Sequence, residues 1–392
     1  MSHAIADAPP PTLKVLGSIR EVEASDWESL LDPDEPPFTR HAWLAAMEES
    51  RSAAPESGWT PHHLTLWQGE RLVAACPAYV KAHSWGEYIY DFAWAQAAER
   101  AGLAYYPKLV LGAPLSPATT RRFLVARDVA APAALRDLLA RAAVAIAREL
   151  GASGVHALFC TEEEARALEA AGFAHRVTLQ FHWRNPGYAH LDDYLARFDA
   201  KRRHQLRREA RAPAEQGLRL RTVRGQALTE EHAGAAHDFY LATCRRYPWG
   251  RVQLNRDFFQ RVFATMPDQV ELVEAVRGEH RIAGAFNLTA GGVLYGRYWG
   301  AHEEVPFLHF NVCMYHPIAE AIELGRTRFE PGAGGEHKVP RGFAPSAVHS
   351  AHLLFHPQLD AAVRDFIGRE ALHHRQLIAD GESLAGLKPW GG

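Results

Sequence analysis

The sequence predicts an α/β fold (α+β, with mixed sheets) in two tandem domains that repeat one order of elements. Two observations carry this prediction. A chain of 392 residues is longer than one hydrophobic core usually organises. Similar hairpin patterns also occur in both halves of the chain. We place the domains at residues 1–185 and 186–392.

A β-hairpin pattern occurs once in each half. Residues 63–79 read as an apolar strand, a Gly69-Glu70 turn and a second strand. Residues 270–288 repeat this order around a Gly278-Glu279 turn. The matching patterns predict a duplicated unit.

A long helix and a strand come after each hairpin. In the first half the helix is predicted over residues 132–150 and the strand over 155–159. In the second half they are predicted over 310–324 and 328–330, and Pro317 is expected to kink that helix or to mark its start. This order predicts mixed sheets covered by helices on both faces.

The bulk composition is that of an ordinary globular protein. With 47% hydrophobic residues and a net charge of −3, the chain has no overall attraction to nucleic acid or to anionic membranes. It has no apolar run of the ~18 residues that a membrane span needs. Residues 1–16 contain three prolines and no apolar core, so they predict a flexible lead rather than a secretion signal, and we expect a cytoplasmic protein.

Neither the cysteines nor the histidines predict a metal site. The four cysteines lie far apart without a Cys-x-x-Cys pair, which indicates reduced thiols. The histidine pairs lack carboxylate partners at ligand spacing. We expect no metal and no permanently bound cofactor.

The densest cluster of chemically active residues follows the strand at 328–330. Glycines at positions 332, 334, 335 and 342 allow this loop to approach a ligand closely. Glu336, His337, Lys338 and Arg341 provide a carboxylate, a titratable ring and two cations. The loop lacks the Walker and dinucleotide-binding patterns. The alternative is a surface turn whose charges are merely solvated.

A second cluster mixes aromatic and charged residues within positions 81–94 and 105–108. Such a mixture suits a pocket that holds a substrate by stacking and hydrogen bonds. It also suits a packed core hairpin. The candidate substrate-binding residues are His83, Ser84, Glu87, Tyr88, Asp91, Tyr105, Tyr106 and Lys108.

A third candidate lies on the strand at 295–302. The two-residue period of a strand puts Arg297 and Trp299 on one side and Tyr298 on the other. Arg297 is therefore either a pocket cation or a structural stacking partner. His309, on the polar face of the following helix, completes the candidate substrate-binding set.

The segment Lys201–Arg211 predicts a helix with a cationic face, which Pro213 and Gly217 are expected to end. Such a face either binds the phosphates of coenzyme A or transfer RNA or is simply solvated.

Several motifs, in order along the chain, resemble those of the FemAB-like peptidoglycan biosynthesis/recognition family, over about residues 61–355. They are His-Ser-Trp-Gly-Glu-Tyr-Ile-Tyr-Asp at 83–91, Tyr-Tyr-Pro-Lys at 105–108, Gly-Arg-Tyr-Trp-Gly at 296–300, Leu-His-Phe at 308–310 and Gly-Ala-Gly-Gly-Glu-His-Lys at 332–338. The resemblance implies two tandem GNAT-like domains, the fold of acyl-CoA N-acyltransferases and of the Fem aminoacyl-tRNA-dependent ligases.

The sequence leaves the donor open. The chain has no heptad run for the coiled-coil arm of true Fem ligases. Neither half has the Gln/Arg-x-x-Gly-x-Gly/Ala loop that is typical of acetyl-CoA binding. Acyl-CoA and aminoacyl-tRNA both stay possible cosubstrates.

We therefore expect transfer of an acyl or aminoacyl group to an amine acceptor, with a possible link to the cell wall. Glu336, His337 and Lys338 are the expected catalytic residues, with Glu336 or His337 as the base. Lys338 and Arg341 would hold a phosphate or carboxylate, and the cluster at 83–91 would shape the acceptor side. The alternatives are a non-catalytic protein that recognises a peptide or peptidoglycan fragment, and an N-acyltransferase that acts on a small metabolite.

Overall fold

The computed structural model describes residues 9–246 and 250–390, which form two compact units. Unit 1 comprises residues 9–176 and 349–369, and unit 2 comprises residues 177–246, 250–348 and 370–390. The prediction divided the chain once, at 185/186, into two consecutive stretches. In the structure the first unit ends earlier, at Arg176, and residues 349–369 also belong to it. Sequence order alone does not reveal that a later segment belongs to the first unit.

Unit 1 begins with an edge strand. Residues 12–16 pair with residues 63–67, so the predicted flexible lead over 1–16 is wrong for this part. Residues 1–8 lie outside the described residues. The strands are β1 (Thr12–Leu16), β2 (Trp59–Pro61), β3 (His63–Gln68), β4 (Arg71–Cys76), β5 (Ala78–Lys81), β6 (Lys108–Leu111), β7 (Leu124–Val125) and β8 (Gly154–Cys160). The helices are α1 (Ala24–Glu28), α2 (His41–Glu49), α3 (Phe92–Arg100), α4 (Pro132–Glu149) and α5 (Glu162–Ala170).

Unit 2 begins at Val177, within the strand that follows α5. Its strands are the end of β9 (Ala174–Arg184), β10 (Arg219–Arg224), β11 (Val270–Arg277), β12 (His280–Ala290), β13 (Val293–Ala301), β14 (Arg328–Glu330) and the start of β15 (Ala344–Leu354). Its helices are α6 (Leu191–Ala196), α7 (Ala200–Glu215), α8 (Glu230–Arg246), α9 (Arg256–Thr265), α10 (Leu308–Phe310), α11 (His316–Glu323) and the end of α12 (Pro357–Leu384). The last strand and the last helix also serve unit 1, up to Arg369.

Both units contain a mixed sheet. In unit 1 the strand order is β15–β8–β6–β5–β2, in which β6 and β8 are parallel, and a second sheet has the order β1–β3–β4–β7. In unit 2 the order is β10–β11–β12–β13–β14–β9, in which β13 and β14 are parallel. The predicted hairpins are the antiparallel pairs β3–β4 and β11–β12. The predicted mixed α/β fold is therefore confirmed.

The predicted helix at 310–324 has an internal irregularity. A π-helical segment, Asn311–Tyr315, separates α10 from α11. Pro317 is the second residue of α11, directly after the π-helical segment, and the backbone before it is helical, with a φ of −64° and a ψ of −49° at Tyr315. The irregularity expected at Pro317 is therefore present as a π-helical segment within a continuous helical stretch, not as a new helix start.

The basic helix ends before Gly217, as predicted, but Pro213 does not end it. Helix α7 continues through Pro213 to Glu215. Proline cannot donate to the carbonyl four residues earlier, that of Glu209. The side chain of Asn311 donates to this oxygen instead, with Nδ2 2.8 Å away. A partner distant in sequence thus satisfies the carbonyl that proline leaves without a donor.

Candidate functional site

A small cavity lies in unit 2 where two parallel strands part. Strands β13 and β14 pair from Val293 and Arg328 to Tyr295 and Glu330. Beyond this point β13 continues, whereas the other strand turns into the glycine-rich loop at Pro331. The carboxyl ends of parallel strands are common ligand sites in α/β proteins. The cavity has a volume of about 60 Å³ and is lined by Ala285, Asn287, Gly296, Arg297, Tyr298, Trp299, His309, Cys313, Met314, Pro331, His337 and Lys338.

A bulge in β13 shapes one wall of this cavity. Phe286 pairs with Tyr298, but the next residue, Asn287, pairs with Gly296, so Arg297 is an extra residue. Bulges locally re-aim side chains. The simple two-residue period therefore fails here, and Arg297, Tyr298 and Trp299 all line the cavity.

The glycine-rich loop lies directly against β13. Gly332 has a φ of +86°, and a Cβ on it would lie 3.3 Å from the carbonyl oxygen of Gly296. A Cβ on Gly296 would in turn lie 3.2 Å from the Cα of Pro331. The positive φ of Gly332 favours glycine, and at Gly296 a side chain would push the neighbouring backbone away by a few tenths of an ångström.

Lys338 is the buried cation of the site. It is 4% exposed, and its Nζ donates to the carbonyl oxygen of Gly332 at 2.7 Å. Burial and the nearby Arg297 lower the pKa of Lys338 to about 8, although Cys313 opposes them. The side chain is thus held between the loop and the cavity, close to the pH at which it loses its charge.

Four rings lie in contact with one another beside Lys338, those of Trp299, His309, Phe310 and His337. The ring centroids of Trp299 and His309 lie 4.2 Å apart, and His309 lies 5.5 Å from His337. Burial lowers the pKa of His337, and Lys338 and Arg341 lower it further. Burial, with the same cations, also lowers the pKa of His309 to about 4. Both rings are therefore neutral at pH 7, the state that a proton acceptor needs.

Arg341 connects the glycine-rich loop to helix α7. It is 7% exposed, with Nη2 2.7 Å from the carboxylate of Glu209 and Nη1 donating to the carbonyl oxygen of His337 at 2.8 Å. Its Nε donates to the hydroxyl of Tyr315 at 2.9 Å, and the guanidinium lies 3.3 Å from the ring centroid of Phe310. These donors serve the loop itself. Arg341 therefore acts as an anchor in this structure, and its role in holding a phosphate stays a prediction.

Glu336 differs from its two neighbours in the loop. The side chains of Glu336 and His337 are both exposed, but only that of His337 lines the cavity. The structure thus brings His337 and Lys338 together with Arg297, Tyr298, Trp299 and His309, but leaves Glu336 outside this group.

Sequence reasoning missed Asn287. This residue lies on β12, is 3% exposed and lines the cavity. Its Nδ2 has no hydrogen-bond partner among the described residues. Most buried amides are paired, so an orphaned donor at a cavity indicates a ligand site. The available signal was one asparagine in the otherwise apolar run Ile282–Leu288.

A larger groove adjoins the cavity. It has a volume of about 500 Å³, which is within the range of ligand pockets. Trp299 and His309 line both spaces, and Glu303, Glu304 and Arg246 lie in the groove wall. The groove can hold the larger part of a substrate whose reacting end enters the cavity.

In unit 1 the second predicted cluster is a buried network of charges around Lys108. Its Nζ lies 2.8 Å from Glu87, 3.0 Å from Ser84 and in contact with Asp91. The hydroxyl of Tyr105 donates to Asp91 at 2.6 Å. Burial and Asp91 raise the pKa of Glu87 to about 7, although Lys108 opposes this. Burial alone would raise the pKa of Asp91, but Lys108, with His156 and Ser84, lowers it below its usual value.

The other predicted residues of this cluster lie at its edge. Tyr106 is half-buried, with its hydroxyl 2.8 Å from Ser84. The half-buried ring of His83 has Nδ1 3.4 Å from the Nζ of Lys81. Tyr88 is half-buried with a φ of +58°, a backbone conformation that favours glycine. The network orders residues 83–91, and its role in binding the acceptor stays a prediction.

The basic helix exposes part of its charge. Leu206, Glu209 and Pro213 form the buried face of α7. The side chains of Lys201, Arg207, Arg208 and Arg211 are exposed, and among them Arg207 pairs with Asp192.

Residues 9–246 and 250–390 contain neither a metal-binding cluster nor a membrane-spanning helix. No group of three or more histidine, cysteine, aspartate or glutamate side chains in these ranges could hold a metal ion. No helix in these ranges has the length and apolar character to cross a membrane.

Comparisons with known proteins identify the family and the fold of the chain. The FemAB-like family, described as peptidoglycan biosynthesis/recognition, matches residues 18–388. The chain is similar to the crystal structure of FemX, with a TM-score of 0.54, 12% identity and coverage of 90% of this chain and 100% of that chain. None of the curated proteins matches.

A second solved structure is similar over most of the chain. It is the C-terminal domain (DUF2156) of a putative lysylphosphatidylglycerol synthetase from Agrobacterium fabrum. The TM-score is 0.52 at 11% identity, with 89% of this chain and 97% of that chain covered. At such identities these likenesses concern the fold, and they support the predicted GNAT-like architecture.

Proposed function

Since this chain belongs to the FemAB-like family of peptidoglycan biosynthesis and recognition proteins, we propose that it transfers an acyl or aminoacyl group from an activated ester or thioester to an amine. The family and the GNAT-like fold support such chemistry at a general level. The cavity in unit 2 supports a more specific version.

The observation that carries this proposal is the buried Lys338 at the parting of β13 and β14. A cation that is 4% exposed, beside a cavity, is placed to stabilise negative charge as it develops on a carbonyl oxygen. Because Lys338 is buried, water screens this interaction less than it would at the protein surface. Arg297 adds a second positive charge to the same lining.

His337 is the base in this proposal. Its pKa is lowered by burial and by two cations, so the ring is neutral and can accept a proton. The amine attacks the carbonyl carbon and a C–N bond forms as the C–O or C–S bond breaks. The proton passes from the amine to His337 and then to the leaving oxygen or sulfur. Glu336, the other predicted base, lies outside the lining.

The outer face of α7 supports a donor that carries phosphate groups. Lys201, Arg208 and Arg211 are exposed on this helix, and such cations attract the phosphates of either coenzyme A or transfer RNA. Both donors remain part of the proposal.

The test is a transfer assay on the full chain. The chain is incubated with a panel of acyl-CoA and aminoacyl-tRNA donors and a mixture of primary amines, and amide products are measured by mass spectrometry. We expect amide formation that His337→Asn and Lys338→Met reduce at least about 100-fold. Glu336→Gln, the adjacent change outside the cavity, is the matched control. Amide formation by both cavity variants at the rate of the native chain would contradict the proposal.

A further inference from the structure

The charge of the cavity is one-sided. Its lining includes two cations, Arg297 and Lys338, and two imidazoles, His309 and His337. No carboxylate of the described residues belongs to the lining. A ligand group that enters this space therefore meets positive charge without a compensating acid.

The positive charge continues behind the cavity. His182 is buried on β9, and burial together with Arg328, Arg184, Lys338 and Arg297 lowers its pKa to about 3. Glu330, at the end of β14, is a buried acid beside these cations, with Oε1 2.9 Å from the Nε of Arg328 and Oε2 without a hydrogen-bond partner among the described residues. Glu330 lies outside the cavity lining, and the groove residues Glu303 and Glu304 are paired with Arg277 and Arg246. Carboxylates therefore surround the cavity at a distance but do not line it.

Asn287 adds a neutral hydrogen-bond donor that points to a ligand. Its Nδ2 is buried without a partner among the described residues, and leaving such a group unsatisfied is costly. It lies beside the bulge at Arg297, on the wall that faces the glycine-rich loop. A carbonyl oxygen in the cavity would accept from this amide and remove that cost.

We propose that the cavity holds the acyl part of the donor, that the amide of Asn287 binds its carbonyl oxygen, and that the transferred group carries no ammonium. This inference rests on the proposed function and narrows its donor from acyl or aminoacyl to acyl. An aminoacyl ester places an ammonium next to the reacting carbonyl, where Lys338 and Arg297 repel it with little screening. A volume of about 60 Å³ restricts the group to a few non-hydrogen atoms.

The first test measures binding and needs no turnover. Acetate and isopropylammonium are compared at equal ionic strength by thermal unfolding of the full chain. Acetate should raise the melting temperature of the native chain by about 1 °C at several times its Kd, and isopropylammonium should not. Lys338→Met and Asn287→Ala should each abolish the acetate effect. Lys388→Met, which removes an exposed lysine elsewhere, should keep it.

Asn287→Ala also separates ligand binding from a structural role. Since its Nδ2 donates no hydrogen bond within the described chain, the substitution should leave the melting temperature without ligand within about 2 °C of the native value. No acetate effect on the native chain, or an effect that persists in both cavity variants, would overturn the inference.

The second test compares two donors that differ by one ammonium. Propionyl and alanyl thioesters of N-acetylcysteamine are offered with the same amine acceptor at pH 6.5. Propionyl transfer should be faster by at least about tenfold, and the difference should shrink at pH 9, where the alanyl amine is neutral. Equal or faster alanyl transfer would overturn the inference and leave the proposed function standing. If neither group is transferred, the proposed function fails, and the acetate experiment still decides the selectivity of the cavity.

Discussion

Arg341 donates from Nη1 to the carbonyl oxygen of His337 at 2.8 Å, while its Nη2 lies 2.7 Å from the carboxylate of Glu209 on α7. One buried guanidinium thus ties the loop that carries the proposed base to a helix distant in sequence. The position of His337 depends on this pair as much as on the glycines before it.

Loss of this guanidinium should destabilise the protein. Arg341→Met leaves Glu209, whose side chain is 2% exposed, as a buried charge without its cation. Breaking a buried pair in this way typically costs about 3–5 kcal/mol. Urea denaturation at pH 7 measures the free energy of unfolding. The double variant Arg341→Met/Glu209→Gln should recover part of the loss, and a loss below about 1 kcal/mol in the single variant would contradict the anchoring role.

Asn311 should contribute to the stability of the folded chain because Pro213 leaves a helix carbonyl without its usual donor. Asn311→Ala removes the donor to the carbonyl oxygen of Glu209, the group that proline leaves unsatisfied, and should cost about 1–3 kcal/mol. Pro213→Ala restores a helical N–H four residues after Glu209. The double variant should therefore be more stable than Asn311→Ala alone in chemical denaturation. Additive losses would show that the two sites do not share this carbonyl.

The fold could be predicted because its signals are local. The turns at Gly69 and Gly278, with apolar strands around them, depend on neighbours in sequence, as does the helix that ends before Gly151. The return of residues 349–369 to unit 1 could not be predicted, since it depends on the distant pairing of β15 with β8. The continuation of α7 past Pro213 depends in the same way on a donor about a hundred positions away.

The site was predicted where residue type alone indicates chemistry. His337 and Lys338 were identifiable because a glycine-rich loop at a strand end often carries function. Asn287 was not, because its meaning depends on the missing partner of its amide and on a bulge that shifts the register. Arg341 was expected to bind substrate, because its contacts with Glu209 and Tyr315, which occupy its donors, join residues far apart in the chain.

The pH dependence of transfer should have two limbs. Below its lowered pKa, which lies under 6.5, His337 is protonated and cannot act as the base, so kcat/KM should fall on the acid side. Above pH about 8, Lys338 loses its charge, and the rate should fall again. In Lys338→Arg the upper limb should move to higher pH, because arginine stays charged. An unchanged upper limb in this variant would exclude Lys338 as its origin.

Stability should fall in acid because His182 is buried in its neutral form. Its pKa is about 3 in the folded chain against 6.5 ordinarily, so between these values the unfolded chain binds a proton that the folded chain does not. The free energy of unfolding therefore decreases as the pH falls from 6.5, by about 1.4 kcal/mol per pH unit for this residue. His182→Gln should reduce the slope, measured by urea denaturation between pH 6.5 and 4.5. The exposed His204→Gln is the control, and equal slopes in the two variants would contradict this assignment.

In the proposed reaction, the buried Lys338 stabilises the reacting carbonyl in the unit 2 cavity. The most direct measurement is kcat/KM for amide formation by Lys338→Met and Lys388→Met, each with an unchanged urea midpoint as the criterion of folding. We expect a loss of at least about 100-fold for the first variant and of less than about threefold for the second. A folded Lys338→Met chain that transfers the acyl group at the native rate would contradict it.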